Sequence, residues 1–128
     1  MPGTFSILIV DDEPTVLTLL TEILSPMYRC SGTESAGEAI RLIDSQSFDV
    51  ALVDMGLPGM TGLGLCQIMI KRSPKTVVIV VSGNSDDQSV AEAMKAGAAD
   101  YIKKPFNLSH VVATIERVLA SQRPGAVA

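Results

Sequence analysis

Five charged side chains stand where this sequence changes abruptly from apolar to polar. Asp11, Asp12 and Glu13 follow ILIV, Asp54 follows ALV, and Lys104 lies between Lys103 and Pro105 just after Ile102. A hydroxyl is placed in the same way, Ser82 following VVIVV and preceding Gly83. Carboxylates gathered in one place repel one another and raise some of their pKa values. A hard divalent cation removes that conflict, and Mg²⁺ suits two or three carboxylates that leave room for water and a substrate phosphate. An ammonium and a hydroxyl opposite the metal would then bind phosphoryl oxygens. A nucleophile, a divalent ion and fixed positive charge are what phosphoryl transfer needs, and Asp54 is the natural nucleophile.

Each residue also has a plainer reading. Asp12 could cap a helix beginning at Pro14. Asp54 precedes a Gly/Pro-rich loop, and Ser82-Gly83 reads as a turn. Lys104 could be a solvated loop lysine. What favours chemistry is the arrangement of elements behind them. Continuous apolar runs over 5–10, 48–53, 76–81 and 99–102 read as buried strands, with a weaker strand over 27–33. Amphipathic helices are expected over 14–24, 35–45, 61–71 and 86–96, the last of these closed by Gly97, with Pro14 in the first turn of the first. A final helix follows Asn107, a good N-cap, and should bury Leu108, Val111, Val112, Ile115 and Leu119.

Strands alternating with helices five times imply an α/β, doubly wound parallel sheet in three layers, of the flavodoxin-like (βα)5 type with strand order 2-1-3-4-5. All the strand ends that carry polar residues would then lie along one edge. The order reverses between strands 1 and 3, which carry Asp11, Asp12 and Asp54, and open α/β sheets bind ligands at that point.

Composition sets the limits. The 128 residues fit one domain over 1–121, with 122–128 read as a flexible tail or the start of a linker. A 47% hydrophobic content without Trp implies an aliphatic core. The net charge of −4 argues against direct nucleic-acid binding. Two distant cysteines, Cys30 and Cys66, fit a reduced, intracellular setting, and the single histidine, His110, argues against a His-based metal site. Neither a signal peptide nor a membrane span is legible, so a soluble cytoplasmic protein is expected.

ILIVDDEP, ALVDMGLPGMTG, VVIVVSG and GAADYIKKPF together resemble the receiver domains of two-component response regulators, from Ser6 to about Ala120. The resemblance implies that Asp54 is the phosphoacceptor. It makes Asp12 the direct Mg²⁺ ligand, Asp11 a ligand acting mainly through water, and the backbone carbonyl of Gly56 a further ligand; Mn²⁺ could substitute. Ser82 and Lys104 would bind phosphoryl oxygens, and Lys103 would be a solvent-facing neighbour. Tyr101 would be the aromatic switch partner that turns inward when Ser82 closes on the phosphate. Pro58 and Gly62 belong to the family's loop, and the Lys104–Pro105 bond is expected to be cis. Gly56 and Asn84 stand at positions that tune dephosphorylation. Gly83, where Ala is frequent, has less side chain to steer its loop.

The implied function is a phosphorylation-dependent switch. Its donor would be a sensor histidine kinase or a histidine phosphotransfer protein. Its output surface would be the fourth helix, fifth strand and fifth helix, which could also form a homodimer. It would be an enzyme only in transferring the phosphoryl group to itself and slowly hydrolysing it. His110, on the last helix, is expected at the surface rather than as a phosphodonor. The alternative is a pseudo-receiver, an interaction module that is never phosphorylated; such domains usually lack part of the acidic cluster or the lysine. A haloacid-dehalogenase-type phosphohydrolase would need an acid two residues after the nucleophile, where this chain has Gly56. A flavin site would need a Ser/Thr/Gly-rich loop where this chain has Asp-Asp-Glu, and there is no Walker loop.

Overall fold

The computed structural model describes residues 4–83 and 87–121. Five strands and five helices alternate in the order β1 (Ser6–Val10), α1 (Pro14–Leu24), β2 (Arg29–Thr33), α2 (Ala36–Ser45), β3 (Val50–Asp54), α3 (Gly62–Arg72), β4 (Val77–Ser82), α4 (Asp87–Ala96), β5 (Asp100–Lys103) and α5 (Leu108–Ser121). The strands are all parallel and form one sheet in the order β2-β1-β3-β4-β5, as the sequence pattern implies. The expected tail over 122–128 and the position of Asn84 lie outside the described residues.

Alternation along the central strands builds two cores. Leu8 and Val10, Ala51 and Val53, and Val78 and Val80 face one side, where Ala39 and Ile43 of α2, Leu65, Cys66 and Met69 of α3, and Val90 and Ala93 of α4 cover them. Ile7 and Ile9, Val50 and Leu52, and Ile79 and Val81 face the other, covered by Leu20 and Leu24 of α1 and Val111, Ile115 and Leu119 of α5. Each Val, Leu or Ile among them contributes about 1.5–3 kcal/mol by leaving water, so the central strands are held from both faces.

Local signals fix where helices begin and end. Ser35 caps α2 by accepting the Glu38 amide at 3.2 Å, and Thr61 caps α3 by accepting the Gly64 amide at 3.0 Å. Asn107 accepts the amides of Ser109 and His110 at 2.8 and 3.3 Å at the start of α5. Gly97, at φ +130°, closes α4 by donating to the Ala93 carbonyl at 3.1 Å. None of the helices among the described residues is long and apolar enough to cross a membrane.

Three expectations need correction. Strands β3 and β4 are expected to stop at their last apolar residues, but the ladder runs one residue further, pairing Asp54 with Val81 and Ser82 with Lys103. Backbone hydrogen bonding takes no account of side-chain polarity, so Asp54 and Ser82 are strand residues rather than loop residues. Strand β5 was read as buried on both faces, yet only Ile102 of its four residues is buried, because β5 is an edge strand. In α5 the buried face includes Thr114 and Val118, whereas Leu108 and Val112 are only partly covered.

Candidate functional site

The C-terminal ends of β1, β3, β4 and β5 bring Asp11, Asp12, Asp54, Ser82 and Lys104 to one edge of the sheet. Asp11 and Asp54 are buried and Asp12 is half-buried. One carboxylate oxygen from each of the three lies within 4.8 Å of the others. Backbone amides hold two of these groups in place. The Glu13 amide donates to Asp11 Oδ1 at 2.9 Å, and the Gly56 amide donates to Asp54 Oδ1 at 3.2 Å. The outer oxygens, Asp11 Oδ2 and Asp54 Oδ2, face Lys104 Nζ at 3.2 and 3.6 Å.

Burial pushes the Asp54 carboxyl above its ordinary pKa. The Gly56 amide opposes that shift, the charge of Asp11 adds to it, Lys104 opposes it and Asp12 adds again. Burial works against the charge on Lys104, but the carboxylates of Glu13, Asp11 and Asp54 outweigh it and hold its pKa above the usual lysine value. Three carboxylates, Asp11, Glu13 and Asp54, thus stand around one ammonium, and Asp12 crowds Asp11 and Asp54 from its own side. These hard oxygen donors, crowded and short of positive charge, fit a small divalent cation.

Ser82 adds a different kind of deficit. Its hydroxyl is fully buried and has no hydrogen-bond partner among the described residues. A buried polar group without a partner is uncommon and needs a reason. The end of its strand is otherwise well tied: the Lys104 amide donates to the Ser82 carbonyl at 2.7 Å, and the Met55 amide to the Val81 carbonyl at 2.9 Å.

The remaining expected residues fall around this edge. The Lys104–Pro105 bond is cis, Pro105 is exposed, and Phe106 packs partly against the core. Pro58 lies exposed in the loop after β3. Gly62 is pressed beneath Asp54: a Cβ there would sit 2.4 Å from both the Asp54 carbonyl oxygen and the Met55 Cα. Gly56 stands next to the Asp54 carboxylate, its amide on one of the oxygens. Tyr101 is 44% exposed and so is turned outward. His110 is exposed on α5. Cys30 and Cys66 are free thiols, and burial pushes that of Cys66 up to about 12.

Two features differ from the sequence reading. Asp12 is not the helix cap; Glu13 occupies that position, and its side chain makes no capping hydrogen bond. Glu13 Oε1 instead lies 3.0 Å from Lys104 Nζ, a pairing across 91 residues that no local pattern announces. Lys103 is exposed, in keeping with a solvent-facing neighbour, and pairs there with Asp87 Oδ1 at 2.8 Å.

A parallel (βα)5 sheet with an acidic cluster at its reversal point, and a buried hydroxyl and a lysine on the neighbouring strand ends, defines a flavodoxin-like α/β domain with a candidate cation site. The comparisons with known proteins agree: the family described as the response regulator receiver domain matches residues 7–116, and the chain belongs to that family. It is 33% identical over 113 residues to the DNA-binding transcriptional regulator NtrC of Escherichia coli K12, covering 88% of this chain and 24% of NtrC. The chain thus spans about a quarter of the length of such curated relatives. Among solved structures it resembles a CheY-like response regulator receiver domain protein from Methanospirillum hungatei JF-1, with TM-score 0.90 and 32% identity over 94% of this chain and 97% of that one. It also resembles the receiver domain of NtrX from Brucella abortus, with TM-score 0.83 and 30% identity over 88% of this chain and 97% of that one. Family membership ties the domain to two-component signalling.

Proposed function

We propose that this chain is a switch that accepts a phosphoryl group on Asp54. The observation that carries the reading is the state of Asp54: buried, raised in pKa, anchored through one oxygen by the Gly56 amide, and with the other facing Lys104. A nucleophile needs one oxygen held and one available, and this carboxylate has both. The bond that forms joins Asp54 Oδ2 to phosphorus, and the bond that breaks joins phosphorus to a donor imidazole nitrogen. Asp11, Asp12, Asp54 and the Gly56 carbonyl would hold Mg²⁺, or Mn²⁺ in its place, which when bound supplies charge neutralisation for the phosphoryl oxygens. Lys104 offers N–H donors to those oxygens. Ser82, whose hydroxyl lacks a partner, offers another at the end of the neighbouring strand.

The donor in this reading is a sensor histidine kinase or a histidine phosphotransfer protein. The domain acts as an enzyme only on itself, in the transfer and in slow hydrolysis. Its unit is residues 1–121, and its setting is the cytoplasm, where such kinases present phosphohistidine. The output surface is α4–β5–α5, on which Tyr101 is exposed. That face would dock an output domain, a partner or a second copy of the chain, with no direct nucleic-acid contact by the receiver itself.

Acetyl phosphate with Mg²⁺ should add one acid-labile phosphoryl group, which borohydride trapping and mass spectrometry should place on Asp54. Asp54→Ala should take no label, and Asp12→Asn almost none. A label on another residue, or full labelling of Asp54→Ala, would sink the assignment. A parent chain that never takes label would instead be the pseudo-receiver.

A further inference from the structure

Lys104 has a partner that phosphoryl transfer does not require. Glu13 fills the N-cap position of α1, where a side chain ordinarily accepts an amide of the first helical turn, yet its carboxylate makes no such bond. It reaches Lys104 instead. At 3.0 Å this is the shortest of the ammonium's contacts with carboxylates among the described residues, ahead of Asp11 at 3.2 Å and Asp54 at 3.6 Å. It is also the contact at the rim, for the Glu13 side chain is 61% exposed and that of Asp54 only 7%. The ammonium is thus drawn away from Asp54, the one group whose phosphoryl oxygens it would have to serve.

Resting on the reading of Asp54 as phosphoacceptor, we propose that Glu13 is a positioning residue that competes with the phosphoryl group for Lys104. An ammonium has three N–H donors, and here three carboxylates stand around it. Asp54 Oδ2, at 3.6 Å, lies beyond hydrogen-bond length, so a phosphoryl oxygen there must draw the ammonium inward against Glu13 and Asp11, and is held more tightly when one of them gives it up. The Glu13 pair is the easiest to give up, because an exposed ion pair contributes little. Glu13 thereby sets how readily an anion on Asp54 is held, without touching the anion.

Glu13→Gln keeps the size of the side chain and deletes the charge, at an exposed position where the fold does not depend on it. Two probes are titrated by NMR at low salt. Beryllofluoride with Mg²⁺ should bind Glu13→Gln about two- to fivefold more tightly than the parent, the span of an exposed ion pair. The difference should shrink as added salt screens the rim charge. Mg²⁺ alone should bind Glu13→Gln more weakly by a similar factor, because a released Lys104 falls back on Asp11 and Asp54. In a Lys104→Met background, Glu13→Gln should leave Mg²⁺ affinity unchanged. If the Mg²⁺ effect persists there, Glu13 acts through the general field of the site and the proposal is wrong. It is equally wrong if Glu13→Gln binds beryllofluoride no more tightly than a parent that acetyl phosphate labels on Asp54. A parent that neither takes label nor binds beryllofluoride overturns the phosphoacceptor reading, and the competition with it.

Discussion

The two ends of the parallel sheet are both polar, but they handle polarity in opposite ways. At the N-terminal end the polar groups satisfy one another. The Ser6 amide donates to Asp49 Oδ2 at 2.8 Å, Thr76 Oγ1 donates to the Phe48 carbonyl at 2.8 Å, and the Ser73 and Thr76 hydroxyls share a bond of 2.6 Å. At the C-terminal end the accounts do not balance. Three carboxylates crowd within 4.8 Å, one lysine serves several acids, and the Ser82 hydroxyl has no partner among the described residues. The first end closes the fold. The second holds deficits that a cation and an anion together would remove, and such deficits mark functional sites.

Substitutions at the two ends should therefore differ in kind. The largest expected effect is steric and lies under the functional end. Gly62→Ala drives a methyl group against the Asp54 and Met55 backbone, which cannot move without displacing β3. It should cost about 3 kcal/mol in urea unfolding, at every pH, and labelling of Asp54 should fall with it. At the closed end, Thr76→Val keeps the shape but leaves the Phe48 carbonyl without its donor. A loss of about 1–2 kcal/mol is expected, independent of pH and of Mg²⁺. If Thr76→Val instead responds to Mg²⁺, the two ends are coupled and the contrast drawn between them fails.

The same contrast explains what could be read in the sequence. Apolar runs are dictated by burial on both faces, so β1, β3 and β4 were legible, and with them the edge that gathers Asp11, Asp12, Asp54, Ser82 and Lys104. The limits of the strands were less so, since Asp54 and Ser82 stay in the ladder after the apolar pattern has ended. The exposure of β5 follows from its edge position, which the expected strand order contained but the apolar run over 99–102, taken by itself, did not. The Glu13–Lys104 pair joins residues 91 apart, and an exposed acid at the start of a helix ordinarily signals nothing beyond favourable placement near the helix N-terminus. The orphaned Ser82 hydroxyl is a fact about its surroundings, and no property of Ser itself encodes it.

Asp54→Asn tests the charge deficit directly and has the next largest effect. A carboxyl with a raised pKa in the folded state binds its proton more tightly there than in the unfolded chain. Its ionised form therefore opposes folding, in full above the folded pKa. That opposition fades as pH falls through the raised value and vanishes below the ordinary value of 3.8. Without Mg²⁺, Asp54→Asn should be more stable than the parent at neutral pH. The gap should close on acidification toward pH 3.8. Millimolar Mg²⁺ should also close it, by stabilising the parent more than the variant. A variant less stable than the parent at neutral pH would mean that the contact with Lys104 outweighs burial and repulsion.

Ser82→Ala should have the smallest effect on stability and the most informative one on signalling. The hydroxyl is buried without a partner, so its removal relieves a desolvation cost and leaves a gap the size of one oxygen atom. These terms oppose each other, and the melting curve should move by no more than about 0.5 kcal/mol in either direction. Thr76→Val, which replaces the hydroxyl of a satisfied pair by a methyl group, should cost more, because it strips an acceptor of its donor. The consequence for the switch is separate. If Ser82 supplies a donor to the phosphoryl group, its shift toward Asp54 frees space beside β5 into which the outward Tyr101 can turn. Beryllofluoride with Mg²⁺ should then spread NMR shifts in the parent from Asp54 through Tyr101 to α4 and α5. In Ser82→Ala the shifts should stay near Asp54, although labelling by acetyl phosphate persists. Distal shifts in Ser82→Ala equal to those of the parent would separate the hydroxyl from the switch and leave its missing partner a matter of packing alone.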